Sequence, residues 1–183
     1  MMRALVVTMV LLAAAGARGE EGVFLSEADA PRAVFPDADA FDRHDVAVTP
    51  ERRARVTAAL GGALPSLWEE RWPVVAASRA GTPLGQAIIV EEIGKHRPIT
   101  FVVGLRPDRT VADVAVMAYR EAYGSEVGSR RFLAQLKGKG AKDDLRPGHG
   151  ITNIAGATLS VEAAGRAVHK AQAIAAALAD DPR

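Results

Sequence analysis

Between Val161 and Ala179, the side chains Ala164, Ala167, Val168, Ala171, Ile174, Ala175 and Leu178 recur at the spacing of one helix face. Most of them are alanine, so this face carries little bulk. A helix with such a face can approach its neighbour closely, and a sheet is the partner the rest of the chain offers. Ala167 and Ala171 are therefore expected to be buried. Ser160 is the expected N-cap, and Asp180-Asp181-Pro182 ends the helix.

The sheet is readable upstream. Gly85–Glu91, Pro98–Leu105 and Val111–Tyr119 read as three strands, with Arg106-Pro107-Asp108-Arg109-Thr110 turning between the last two. The third strand is apolar enough to lie inside an antiparallel sheet. A further strand is expected around Trp72–Ala77, after a turn, and a short one over Asp45–Val48. Between those two, Thr49 caps a helix that starts at Pro50, runs to about Leu60 and stops at Gly61-Gly62. Its apolar face would be Ala54, Val56, Ala58, Ala59 and Leu60. Nearer the N-terminus, Ser26 could cap a helix over Glu27–Val34 that Pro36 ends. The fold class is α+β: an antiparallel sheet packed against helices, including a C-terminal amphipathic helix.

Arg3, the apolar run Ala4–Ala15 and the small residues Ala17 and Gly19 have the layout of a secretory signal peptide. Cleavage near Gly19 is expected, with a periplasmic or otherwise exported product. Twelve apolar residues are too few to span a bilayer, which takes about 20. No membrane span is expected after cleavage. The organisation is then a leader at 1–19, a helical and extended segment at 20–80, and a domain at 81–180.

Composition removes several chemistries. The chain has no Cys, which excludes disulfides, thiolate nucleophiles and cysteine-ligated clusters. Lys plus Arg is 23 against 22 for Asp plus Glu, so no basic face for nucleic acid is implied. His44, His96, His149 and His169 lack metal-ligand spacing.

What remains is the segment before the last helix. Tyr119–Arg131 breaks the strand pattern, a short helix follows over Arg131–Leu136, and Lys137–Gly150 is a loop. Then comes Ile151-Thr152-Asn153-Ile154-Ala155-Gly156-Ala157-Thr158-Leu159-Ser160. Gly156 and Ala157 keep a tight turn free of bulk. Thr158 presents a hydroxyl just ahead of a helix N-terminus, where free amides and the helix dipole favour an anion. The same hydroxyls, of Thr158 or Ser160, also suit a plain helix cap.

Gly156-Ala157-Thr158-Leu159-Ser160 resembles the Ser-Gly-Ala-Thr-x-Ser signature of the FMN-binding domain family. That family includes RnfG-, NqrC- and NosR-type domains and small exported flavoproteins. Tyr119-Arg120-Glu121-Ala122-Tyr123-Gly124-Ser125-Glu126-Val127 and Phe132–Lys139 are similar to its second characteristic stretch, and the likeness covers roughly residues 83–178. The resemblance implies that a flavin transferase joins FMN to the Thr158 hydroxyl as a phosphoester. It places Ala155, Gly156, Ala157, Ser160 and Thr152 around that threonine, and Glu121 in the flavin pocket as a polar contact. Tyr123, Tyr119 and Met117 are candidates for ring contact, and Arg120, Arg130, Arg131 and Lys137 for balancing the phosphate. Where the family pattern has Asp, this chain has Thr152. The function so implied is an exported electron carrier working with a redox partner protein or membrane redox complex. The alternatives are a flavin-dependent reductase or sensory module, and a structural or peptide-binding domain that has lost FMN.

Overall fold

The structure is a computed structural model that describes residues 22–61 and 68–180. The leader expected at 1–19 and the helix-ending Asp181-Pro182 lie outside the described residues.

Five strands form one antiparallel sheet in sequence order: β1 Ala40–Ala47, β2 Arg71–Arg79, β3 Thr82–Ile93, β4 Pro98–Leu105 and β5 Val111–Ala118. Consecutive strands pair throughout. β1 is far longer than the short strand expected over Asp45–Val48. It forms an outer edge, and Asp42, Arg43, His44 and Asp45 are all exposed there. Charges along an edge discourage pairing with another chain. Alternating burial is lost at such a strand, which is why sequence periodicity underestimates it.

β5 is at the other edge rather than inside the sheet. Its outer side is closed by local segments. Phe24 donates its backbone N–H to Met117 at 2.8 Å, and Tyr119 donates to Gly22 at 2.8 Å. At the far end Val111 donates to Lys139 and accepts from Gly138. The strand's apolar character is thus explained by cover on its faces and edge, without a sixth strand among the described residues. Register shifts near Thr100/Phe101 and Gly104/Leu105 interrupt its alternation. Val111, Val114 and Val116 therefore face one core and Met117 the other.

Helices cover both faces of the sheet. On one face α1 (Ala30–Val34) brings Ala30 and Val34, with Phe35 beside them, onto Val75, Ala87, Ile89 and Val102. α1 is shorter than expected and starts after Asp29. Ser26 instead bonds Asp29 in the preceding turn. On the opposite face lies the larger core. There α2 (Pro50–Ala59) and the long C-terminal helix, which spans Thr158–Ala179, pack over Trp72, Ile88, Ile99, Phe101 and Val103. Thr49 caps α2 by accepting from the Arg52 N–H. Within α2, Val56 alone is buried, and Ala54, Ala58 and Ala59 face solvent.

The C-terminal helix, α4 below, buries Ala164, Ala167, Val168, Ala171 and Ile174, as the stripe requires. Ala163, Ala173, Lys170 and Gln172 are buried as well, so far more than a stripe is covered. Between β5 and α4 the chain makes a one-turn 3-10 helix over Ser125–Gly128. The short helix α3 (Arg130–Leu133) follows and continues as a 3-10 turn through Leu136. Val127, Phe132, Leu133 and Leu136 from this stretch join the larger core. They anchor a segment that otherwise carries the site.

Candidate functional site

α4 begins at Thr158, earlier than its apolar stripe suggests. Ala157 is the N-cap and provides no side-chain hydrogen bond. Ser160, expected as the cap, lies inside the first turn and is buried. Its hydroxyl is 2.9 Å from the Tyr119 phenol, which in turn donates to the Tyr123 carbonyl. Burial holds the Tyr119 phenol above its ordinary pKa against the opposing Ser160 bond, with Glu121 and Glu126 adding to the rise. The tertiary fold has taken Ser160 for this network, and the helix end is left uncapped. The first amides of a helix have no intrahelical acceptor, so those of Thr158, Leu159 and Ser160 remain open to an anion.

The turn that presents them is built by Gly156 and Asn153. Gly156 has φ +80°, a left-handed conformation that an L side chain enters at a cost, and an added Cβ would meet nothing within 4 Å. The Asn153 amide donates to Thr158 Oγ1 at 3.1 Å, while its Oδ1 accepts from the Ile154 N–H at 2.9 Å. Thr158 is exposed, and Asn153 sets the orientation of its hydroxyl. Gly124 crosses behind the turn with φ +90°. A Cβ there would lie 2.8 Å from the Tyr119 hydroxyl and 3.0 Å from the Ala157 Cβ. The close approach of these two segments forms the site.

Thr158 stands between two depressions. One is a cleft of about 460 Å³ lined by Lys95, His96, Glu121, Ala122, Tyr123 and residues 156–160. The other, about 700 Å³, runs along α4 past Glu162, Arg166 and His169, beside Asp144–Pro147 and His149. In the larger groove Arg146 is held by Asp144 at 2.7 Å, and Arg166 by Glu92 at 3.1 Å. The smaller cleft has the open amides, and the exposed side chains of Tyr123 (84%) and Leu159 (44%) stand beside them. It is the better receptor for a planar ring that carries a phosphate.

The cleft gathers six of the residues singled out in the sequence: Glu121, Tyr123, Gly156, Ala157, Thr158 and Ser160. Ala155 is exposed on the turn and does not line it. Thr152 is elsewhere too. Its N–H donates to Gln135 Oε1 at 2.9 Å, and it lines a separate hollow with Glu126, Arg131 and Gln135. Met117 is buried in the opposite core, and Tyr119 is committed to its hydroxyl network. The expected phosphate partners are also displaced. Arg120 donates to Pro98 O and Thr100 Oγ1, Lys137 pairs with Asp113 at 2.7 Å, and Arg130 does not line the cleft. The basic side chains that do line it, Lys95 and His96, sit at the β3–β4 hairpin tip. Sequence periodicity gives such residues no signal, because only strand pairing brings that tip to the end of α4.

Glu121 lies in the cleft, but its carboxylate faces backbone. It accepts from the N–H groups of His96 at 2.5 Å and Arg97 at 2.9 Å. Burial raises its pKa, yet the backbone donors of Arg97, His96 and Lys95 outweigh this and hold it below the ordinary value.

Residues 94–173 match the family model described as the FMN-binding domain. No curated protein matches the chain. The matched span runs from the hairpin tip through the Thr158 turn into α4, and so covers the whole cleft. The chain carries an FMN-binding domain, and FMN is the cofactor it indicates.

Proposed function

Taking the FMN-binding domain as the premise, we propose that the chain is an exported electron carrier whose FMN is joined to Thr158 as a phosphoester. The observation that carries this reading is the uncapped start of α4. An exposed hydroxyl stands there beside open amides and a glycine with free space over its Cα. These residues fit the group. The amides of residues 158–160 would receive the phosphate, Thr158 Oγ1 would form the ester, and the cleft beside Tyr123 would take the ring. The Thr158 hydroxyl would supply the ester oxygen to the FMN phosphate of FAD, with AMP as the leaving group and the threonine proton released to solvent. Asn153 donates to the oxygen and leaves its proton free to depart.

Bound FMN supplies reversible electron transfer, and the protein positions it and sets the charge around it. No helix among the described residues is long and apolar enough to cross a membrane.

The test is intact mass and peptide mapping after coexpression with a flavin transferase. Thr158 should gain one FMN, about 438 Da by the chemistry of ester formation, and Thr158→Val should gain none while keeping its fold. FMN on another residue, or on none with a control protein modified, would reject the covalent assignment. Thr152 is then the first residue to change to Asp.

A further inference from the structure

The β3–β4 tip is a four-residue turn, Gly94-Lys95-His96-Arg97, which the sheet alone does not fix against α4. Gly94 donates its N–H to the Arg97 carbonyl at 3.0 Å and closes the turn. The amides of His96 and Arg97 then point at one acceptor, the Glu121 carboxylate, and the Lys95 amide contributes to the same group. The fit is close. A Cβ added to Gly94 would stand 2.9 Å from Glu121 Oε1 and 3.1 Å from the Ile99 side chain. With its backbone held, the tip presents Lys95 and His96 to the cleft that Thr158 also lines.

We infer that Glu121 is a positioning residue that clasps the hairpin tip, and that the clasped tip is the basic wall of the flavin cleft. The wall recognises the negative charge of the ligand, whereas Glu121 does not touch the ring. Charge-assisted hydrogen bonds from backbone amides are directional and hold best when the carboxylate is ionised. Releasing them would let the turn open toward solvent and carry Lys95 and His96 away from Thr158. The inference rests on the flavin reading, and it makes a separate demand on it. Loss of a clasp and loss of a ring contact should differ in which flavin they affect.

The full chain, expressed without a flavin transferase, is titrated with FMN and with riboflavin, which lacks the phosphate. Glu121→Ala, and separately Lys95→Ala with His96→Ala, should each weaken FMN about fivefold, the effect of one partly screened charge contact, and riboflavin hardly at all. Glu121→Gln keeps one carbonyl acceptor and should fall between Glu121→Ala and wild type. Equal weakening of both flavins by Glu121→Ala would mean direct ring contact and would overturn the inference. So would unchanged FMN binding in the Lys95/His96 double variant. A second measurement needs no flavin: amide exchange at His96 and Arg97 should quicken at least tenfold in Glu121→Ala, with Ala167 and Ala171 unchanged. Unchanged exchange at the tip would overturn the clasp. If wild type binds neither flavin, the flavin reading and the wall fail together, while the exchange measurement still decides the clasp.

Discussion

The middle and the start of the same helix obey different rules. Through its middle, α4 is enclosed. Lys170 is fully buried, and its ammonium reaches Glu69 Oε1 at 2.5 Å, the Glu91 carbonyl at 3.0 Å and Glu92 at 3.6 Å. One turn back, Arg166 bonds Glu92 and the Ile93 carbonyl. At its start the helix is bare: Ala157 cannot cap it, and Thr158 and Leu159 face solvent. An unsatisfied, exposed helix terminus is a weakness in stability. It is tolerated here because the enclosed middle fixes the helix independently. The contrast teaches that α4 is anchored by one stretch and serves a ligand with another. Substitutions should therefore separate stability from flavin chemistry according to where on α4 they fall.

The largest effect should come from Lys170→Ala. It leaves buried Glu92 and part-buried Glu69 without their shared cation, and breaking such a network costs about 3–5 kcal/mol. Equilibrium denaturation would read this directly. A loss under about 1 kcal/mol would mean that the middle of α4 is not the anchor.

Ala171→Glu tests the same stretch by bulk and charge. Ala171 has no exposed surface, so the change should cost roughly 2 kcal/mol or more. An unchanged melting midpoint would put that face of α4 away from the sheet.

Ser160→Ala is intermediate in position and should be intermediate in effect. It removes one partner of the buried Tyr119 phenol and should cost about 1 kcal/mol. A cap would show its loss as fraying of α4. Here the loss should instead appear at Tyr119 and the Tyr123–Gly124 turn, by amide exchange, with covalent FMN still formed.

Acid gives a smaller, local test. The Glu121 carboxyl is held below its ordinary value by backbone donors. Its contribution is thus present above the unfolded pKa of about 4.3 and is lost as pH falls through the lower folded value. Lys95, His96 and Arg97 face this group. Exchange protection at His96 and Arg97 should decline below about pH 4, before that of Ala167 and Ala171.

Thr158→Val should change stability least, within about 0.5 kcal/mol, because the side chain is exposed. A large destabilisation would show that the Asn153–Thr158 bond holds the turn and would blur the division between the middle and the start of α4.

Legibility in the sequence followed the same division. Pro98–Leu105 was readable to the residue, because β4 is buried on both faces and its apolar run has sharp ends. The alanine stripe of α4 was readable for the same reason. β1 was underestimated because an edge strand of charged residues has no buried face to show. The start of α4 was misplaced because serine is the better cap by chemistry, and nothing local reveals that Tyr119 claims its hydroxyl. Among the site residues, those within the Gly156–Ser160 run came together because they are neighbours in the chain. Thr152 did not, because Gln135 draws its backbone toward a different hollow.

The sequence by itself determined the strands with covered faces, the helix and the cluster of small residues ahead of Thr158. All of these rest on contacts within a few residues or on periodicity. Only the tertiary structure decided which groups surround that threonine. Lys95 and His96 lie more than sixty residues upstream, and they reach the cleft because β3 and β4 pair in one register and Glu121 binds the turn between them. Hydrogen bonds of this kind depend on distances across the fold, and no spacing along the chain encodes them.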